Sequence, residues 1–161
     1  MMDEPKYETL RGTADETIRD VRQSDRDGFL DMAEAFYSTT AVSYSVDRSL
    51  LEAAFNEALA NSPYVRALII EDAGAPVGFA LLSFSHATEA GGLVVMIEDL
   101  YISDTCRGRG LGSKFMQFVE HEYPEAKRFR LEVTKENTGA IGLYSRLGYR
   151  TVDYMQMVKD M

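Results

Sequence analysis

The chain has 161 residues, 45% of them hydrophobic and 27% charged, with a formal net charge of -9 at pH 7. This composition is typical of one soluble globular domain and excludes a disordered or fibrous chain. The excess of acidic residues disfavours nucleic acid as a partner. Because the chain has one cysteine and two histidines far apart in sequence, neither an internal disulfide nor a metal site is expected.

The first residues, MMDEPKYETL, lack the basic-then-apolar layout of a secretory signal. No apolar run approaches the ~20 residues of a membrane helix, so a cytoplasmic protein without a membrane partner is expected. Residues 1–15 mix charges with glycine and show no periodicity. This pattern predicts a flexible N-terminal tail, followed by a single domain over residues 16–161.

The first half of the domain predicts one strand, two helices and a hairpin. Apolar residues recur at helical spacing up to Tyr37 and again from Leu50 to Leu59. Strands are predicted over residues 17–21, 65–71 and 77–85, the last two joined by a turn that contains Gly74 and Pro76.

The second half predicts a central strand over residues 93–102, a glycine-rich loop and a helix. A strand over 128–133 and a helix over 137–147, ended by Gly148, follow. Residues 149–152 and 154–158 predict one or two final strands. The order βααβββαβαβ, with a further strand optional, indicates an α/β fold of α+β type.

The loop after the central strand has the composition of an anion-binding site. Its glycines permit positive φ angles and close approach of a ligand to backbone N–H groups, and the next helix adds unpaired donors. Arg107, Arg109 and Lys114 make the segment basic within an acidic chain. A Walker loop would need Gly-Lys-Ser/Thr, and a dinucleotide loop would need glycine at Ser113. The segment therefore predicts a phosphate-bearing ligand of another kind.

The pattern Arg/Gln-x-x-Gly-x-Gly/Ala is met by Arg107, Gly110 and Gly112. It resembles the coenzyme A pyrophosphate loop of the GNAT N-acetyltransferase superfamily. The resemblance extends to the strand before the loop and to a later segment with Asn137, Ala140, Tyr144, Leu147, Gly148 and Tyr149. It implies a mixed, twisted sheet of six to seven strands flanked by about four helices, in which the central strand and the strand at Arg128 diverge.

The resemblance also implies acetyl-CoA as co-substrate and no metal. Backbone N–H groups of the loop would bind the pyrophosphate, and main-chain groups of the central strand would pair with the pantetheine arm. The cofactor-binding residues expected on this basis are Leu100, Tyr101, Ile102, Arg107, Gly108, Arg109, Gly110, Leu111, Gly112, Ser113 and Asn137.

Acetyl transfer to an amine needs a base, because an alkylamine with a pKa of about 10.4 is almost fully protonated at neutral pH. Successive strand residues face opposite sides, so only one of the adjacent Glu98 and Asp99 is expected to face the acceptor. The resemblance favours Glu98 as the base, acting directly or through water. It implies Tyr144 as the acid that protonates the departing thiolate, after direct attack by the amine in a ternary complex.

The acceptor contacts are the least defined part of the prediction. Phe36, Tyr37, Tyr44 and Asp99 are candidates, together with Phe55, although aromatic residues at helical spacing are also typical of a core. A polyamine is one alternative acceptor, weakly favoured by the acidic chain and the Glu-Asp pair. Aminoglycosides, amino acids and protein N-termini are other possible acceptors. A different class of function is a non-catalytic acyl-CoA sensor. Cys106 as an acyl-carrying nucleophile and a homodimer as the oligomeric state also stay open.

Overall fold

The computed structural model describes residues 15–161, in which five strands and four α-helices follow the predicted order up to the last helix. The strands are β1 (Glu16–Asp20), β2 (Val65–Asp72), β3 (Ala75–Ala87), β4 (Gly92–Ile102) and β5 (Arg128–Leu131). The helices are α1 (Arg26–Tyr37), α2 (Arg48–Leu59), α3 (Leu111–Glu122) and α4 (Thr138–Arg146). Short 3-10 turns precede α1 and α3.

The strands form one mixed sheet in the order β1-β2-β3-β4-β5. The first four are antiparallel neighbours, whereas β4 and β5 are parallel. The β2–β3 hairpin closes through Ala73 and Gly74, whose φ angles are 49° and 76°. Positive φ at both central residues matches the right-handed twist of the strands, which explains the tight turn.

Two hydrophobic layers cover the two faces of the sheet. Helices α1 and α2 pack on one face around Phe79, which lies edge-on to Phe29 at 4.9 Å between ring centroids. Helix α3 packs on the other face through Phe115 and Met116, with α4 at its margin. The β4 sequence is a nearly continuous apolar run because both of its faces are covered.

Phe55, a candidate acceptor contact, belongs to the first core layer. Its side chain is 0% exposed, and its ring packs against Phe29 at 5.2 Å. The aromatic residue is therefore part of the packing between α2 and the sheet.

The prediction of six to seven strands is wrong for the described residues, which contain five. Residues 150–161 have no regular secondary structure, and their backbone makes no hydrogen bond with any described residue. A strand needs a ladder partner as well as β-forming side chains, and the one hydrogen bond from this segment to another described residue is made by the Tyr154 hydroxyl, which donates to Glu89 in the β3–β4 turn at 2.7 Å. The predicted tail lies outside the described residues, apart from Asp15, whose carbonyl accepts a hydrogen bond from Ala73.

Within residues 15–161, no helix has the length and apolar character needed to cross a membrane. The same residues contain no cluster of three or more His, Cys, Asp or Glu side chains that could hold a metal ion.

The burial of Phe55 gives a direct test of its place in the core. Replacing a buried Phe by Ala removes apolar burial and leaves a cavity, so Phe55→Ala should lower the free energy of unfolding by about 3–5 kcal/mol, measured by urea denaturation. Tyr44→Ala is the control, because Tyr44 is 79% exposed and should change stability by less than about 0.5 kcal/mol. Equal effects of the two changes would contradict the assignment.

Candidate active site

The glycine-rich loop leads from β4 to the first turn of α3. Gly108 and Gly110 have φ angles of 77° and 81°, which residues with a Cβ rarely adopt. None of the backbone N–H groups of residues 108–113 donates a hydrogen bond to a described residue. Successive N–H donors at a helix N-terminus, without partners in the described protein, are suited to phosphate oxygens. An added Cβ on Gly112 would lie 3.0 Å from the Leu143 side chain, so this glycine also lets α3 approach α4.

The basic side chains of the loop are already paired with carboxylates. The pairs are Arg107 with Asp104, Arg109 with Asp72, and Lys114 with Glu16. Glu16 is buried, and Asp72 ends β2, so two of these pairs tie the loop to neighbouring strands. Cys106 is buried beside Arg109 and has no histidine partner among the described residues.

Strands β4 and β5, the last pair in the sheet order, stop pairing partway along β4. Their pairing runs from Val94 opposite Arg128 to Ile97 opposite Leu131 and stops there, although β4 continues to Ile102. The open edge of β4 faces a small cleft with a volume of about 40 Å³. The cleft is lined by several residues predicted for the site, namely Phe36, Glu98, Leu100, Asn137 and Tyr144. The fold thus brings together side chains from α1, β4 and α4.

Asn137 is also the N-cap of α4. Its side-chain oxygen accepts a hydrogen bond from the backbone N–H of Ala140 at 3.3 Å. The amide N–H₂ group has no hydrogen-bond partner among the described residues, so it is a donor that Asn137 can offer to a ligand in the cleft.

The expectation that Glu98 and Asp99 face opposite sides is wrong. Leu81 of β3 lies opposite Asp99 and Leu82 lies opposite Ile97, so Glu98 is an extra residue in a β-bulge. The Ser83 hydroxyl donates to Glu98, and Ser83 shares a face of β3 with Leu81. The bulge therefore places both carboxylates on the face covered by α1.

The two carboxylates have different surroundings. Glu98 is exposed in the cleft, whereas Asp99 is only 6% exposed and accepts a hydrogen bond from the Tyr37 hydroxyl at 2.8 Å. Burial raises the pKa of Asp99 to about 6, opposed by the Tyr37 hydrogen bond and assisted by the charge of Glu98. No described Lys, Arg or His forms an ion pair with either carboxylate.

Tyr144 lies half-buried on α4, and its hydroxyl makes no hydrogen bond with a described residue. Burial raises the pKa of this phenol, so it keeps its proton at neutral pH. The Tyr149 ring lies 5.9 Å from the Tyr144 ring, and its buried hydroxyl also has no partner among the described residues.

The predicted acceptor contacts are distributed unevenly. Phe36 lines the cleft and Tyr37 holds Asp99, but Tyr44 lies on an exposed loop. Sequence reasoning missed Thr134, whose hydroxyl donates to the carbonyl of Thr40 at 2.9 Å and connects the α1–α2 loop to the segment after β5. A contact between two irregular segments has no periodic sequence signal.

A family model described as the acetyltransferase (GNAT) family matches residues 27–149. The chain belongs to this family. Thialysine N-epsilon-acetyltransferase of Mus musculus is 30% identical over 141 residues, covering 81% of this chain and 82% of the relative. Peptidyl-lysine N-acetyltransferase YjaB of Salmonella typhimurium is 30% identical over 103 residues, which cover 64% of this chain and 61% of that relative. The predicted family is confirmed and, with it, acyl-CoA-dependent N-acetyl transfer as the reaction class.

Solved structures support the fold at lower sequence identity. A possible acetyltransferase from Clostridium difficile 630 aligns with a TM-score of 0.77 at 17% identity, covering 91% of this chain and 98% of that one. A predicted acetyltransferase from Clostridium acetobutylicum, solved with acetyl-CoA, aligns with a TM-score of 0.72 at 18% identity. The alignment covers 89% of this chain and 96% of that one. These similarities show the predicted α+β fold.

The raised pKa of Asp99 makes a prediction about stability. With a pKa near 3.9 unfolded and about 6 folded, the folded chain binds more protons between these values, so stability falls as the pH rises through this window. Asp99→Asn removes the charge but keeps an acceptor for Tyr37. Its free energy of unfolding relative to wild type should therefore rise by about 3 kcal/mol from about pH 4 to about pH 8, measured by urea denaturation. Asp153→Asn, in the exposed C-terminal segment, is the control. A difference that does not change with pH would contradict the buried, ionising Asp99.

Proposed function

We propose that the chain transfers the acetyl group of acetyl-CoA to a primary amine of a small molecule or peptide. The observation that carries this proposal is that the cleft lined by Glu98 and Tyr144 lies along the open edge of β4, the strand that leads into the loop with unpaired N–H groups. The acetyl donor supplies its acyl group as a thioester.

The donor would be held mainly by the backbone. The N–H groups of residues 108–113 fit the pyrophosphate, and the open edge of β4 at Leu100, Tyr101 and Ile102 fits the amide groups of the pantetheine arm. Asn137 would add its side-chain amide from the other side of the cleft. In this proposal the thioester would lie between Glu98 and Tyr144, which both line the cleft.

The chemistry then needs two proton transfers. Glu98 takes a proton from the ammonium group, directly or through water, so that the neutral nitrogen bonds to the acetyl carbon as the carbon–sulfur bond breaks. Tyr144 gives its proton to the departing sulfur, and the second proton lost by the attacking nitrogen passes through solvent to the tyrosinate. Glu98 releases the proton it gained to solvent, so one proton is released in each turnover. The products are an N-acetylated amine and free coenzyme A.

Gly110 gives a test of donor binding that is independent of turnover. Gly110→Ala introduces a Cβ where the backbone must approach the ligand, and affinity for acetyl-CoA, measured by calorimetry, should fall at least about tenfold, or about 1.4 kcal/mol. Gly91→Ala is a matched control, because Gly91 has a similar φ of 79°, also has open space around its Cβ position and lies in the β3–β4 turn. Equal losses in both variants would indicate backbone strain in place of a ligand contact.

The reaction is tested by following thiol release from acetyl-CoA with polyamines, aminoglycosides, amino acids and lysine peptides. On an amine that turns over, Tyr144→Phe should lower kcat at least about tenfold while acetyl-CoA affinity stays the same, because only the proton donor is lost. Tyr149→Phe, which removes a neighbouring unpaired hydroxyl, should leave kcat unchanged. Unchanged turnover in the Tyr144 variant would remove its role as acid. Acetyl-CoA binding without turnover on any amine would favour the alternative function, a non-catalytic acyl-CoA sensor.

Cytoplasmic localisation and homodimerisation stay predictions of the sequence.

A further inference from the structure

We propose that Glu132, in the segment that follows β5, receives the second proton of the attacking nitrogen, after Glu98 has received the first. An ammonium nitrogen loses two protons when it becomes an amide nitrogen, so the reaction needs two acceptors. This inference rests on the proposed function and deepens it, because it assigns a role to a carboxylate that sequence reasoning did not single out.

The first step of the argument is the place where β4 and β5 stop pairing. Ile97 and Leu131 are the last residues of the two strands that lie opposite each other. Glu98 and Glu132 follow them directly in the sequence, so the two carboxylates stand where the chains diverge. Both residues line the cleft that opens at this point.

The second step concerns the face of the sheet on which Glu132 lies. Phe129 and Leu131 of β5 pack in the hydrophobic layer that contains α3. Since successive strand residues face opposite sides, continuing this alternation by one residue directs Glu132 to the face covered by α1. The bulge directs Glu98 to the same face. An amine held between the diverging chains therefore has a carboxylate on each side.

The third step is the small number of groups in the cleft that can accept a proton. Among the residues that line the cleft, the titratable ones are Glu98, Glu132 and Tyr144. Glu98 is already protonated after the first transfer, and Tyr144 begins the reaction with its proton in place. Glu132 is exposed, and its side chain makes no hydrogen bond or ion pair with a described residue. Its carboxylate is therefore available to the acceptor.

The size of the cleft favours a side chain over water as the second acceptor. Its volume is about 40 Å³, so a bound amine and thioester would leave little room for bulk water at the reacting nitrogen. A carboxylate at the wall of the cleft can take the proton without such access.

Each proton then has a defined path. Glu98 takes the first proton from the ammonium group, which frees the electron pair that forms the carbon–nitrogen bond. The nitrogen becomes positively charged as this bond forms, and it gives its second proton to Glu132. The carbon–sulfur bond breaks, and Tyr144 protonates the sulfur. Glu132 passes its proton through solvent to the tyrosinate, and Glu98 releases its proton to solvent.

The experiment compares Glu132→Gln with Glu98→Gln as the pH rises. Thiol release from acetyl-CoA is followed with the full chain and the amine that turns over fastest among polyamines, aminoglycosides, amino acids and lysine peptides. Between about pH 7 and about pH 9 the neutral fraction of an alkylamine rises about a hundredfold. The loss of kcat/KM in Glu98→Gln should therefore shrink with rising pH, because the first proton has already left.

Glu132→Gln should behave differently, because the second proton must leave the nitrogen even when the amine binds in its neutral form. Its kcat/KM should fall at least about tenfold, by the same factor at every pH. Glu132→Asp keeps a carboxylate and should be at least about threefold more active than Glu132→Gln. Acetyl-CoA affinity, measured by calorimetry, should be the same in all of these variants.

Glu136→Gln is the matched control. Glu136 is an exposed glutamate of the same segment that does not line the cleft, so its replacement should leave kcat/KM unchanged. An equal loss in Glu136→Gln and Glu132→Gln would indicate damage to the segment and overturn the role of Glu132.

Other outcomes separate this inference from the proposed function. Unchanged turnover in Glu132→Gln, equal activity of the two Glu132 variants, or a loss that shrinks with pH as in Glu98→Gln would overturn the second proton acceptor and leave amine acetylation intact. Weaker acetyl-CoA binding by Glu132→Gln would assign the residue to the donor site and also overturn it. No thiol release with any amine would contradict the proposed function itself.

Discussion

The end of pairing between β4 and β5 at Ile97 and Leu131 is the constraint on which the site depends. Before this point β4 has a neighbour on both sides and belongs to the core. Beyond it, one edge of β4 offers backbone groups that no described strand uses. The same separation opens the cleft into which Glu98 and Tyr144 project from different elements. A sheet that stayed paired to the end of β4 would have neither the open edge nor the cleft.

The bulge at Glu98 changes the electrostatics of that cleft. One extra residue turns an alternating Glu-Asp pair into two carboxylates on one face, one exposed and one buried. The buried one destabilises the folded state near neutral pH, because its pKa is raised and no described cation pairs with it. Such a cost is typical of positions where a fold serves a ligand at the expense of its own stability.

The sequence predicts local features well and pairing poorly. Helix spacing located α1, α2 and α3, and the glycines located the loop, because each signal lies within a few neighbouring residues. The bulge could not be read from Glu98 and Asp99, since it depends on which β3 residues lie opposite them. Residues 154–158 have strand-forming side chains but no described ladder partner, so composition predicted a strand where none is found. Phe55 and Phe36 have similar spacing, yet only Phe36 reaches the cleft.

The basic residues of the loop show a similar limit of prediction from sequence. Its three basic residues suggest direct contact with phosphate, but each is paired with a carboxylate, two of them on neighbouring strands. These pairs fix the loop against β1 and β2, so its N–H groups are held in place before a ligand arrives. Ordering the loop in advance lowers the entropy lost on binding. The loop can therefore offer a polyanion its backbone dipoles although the chain as a whole is acidic.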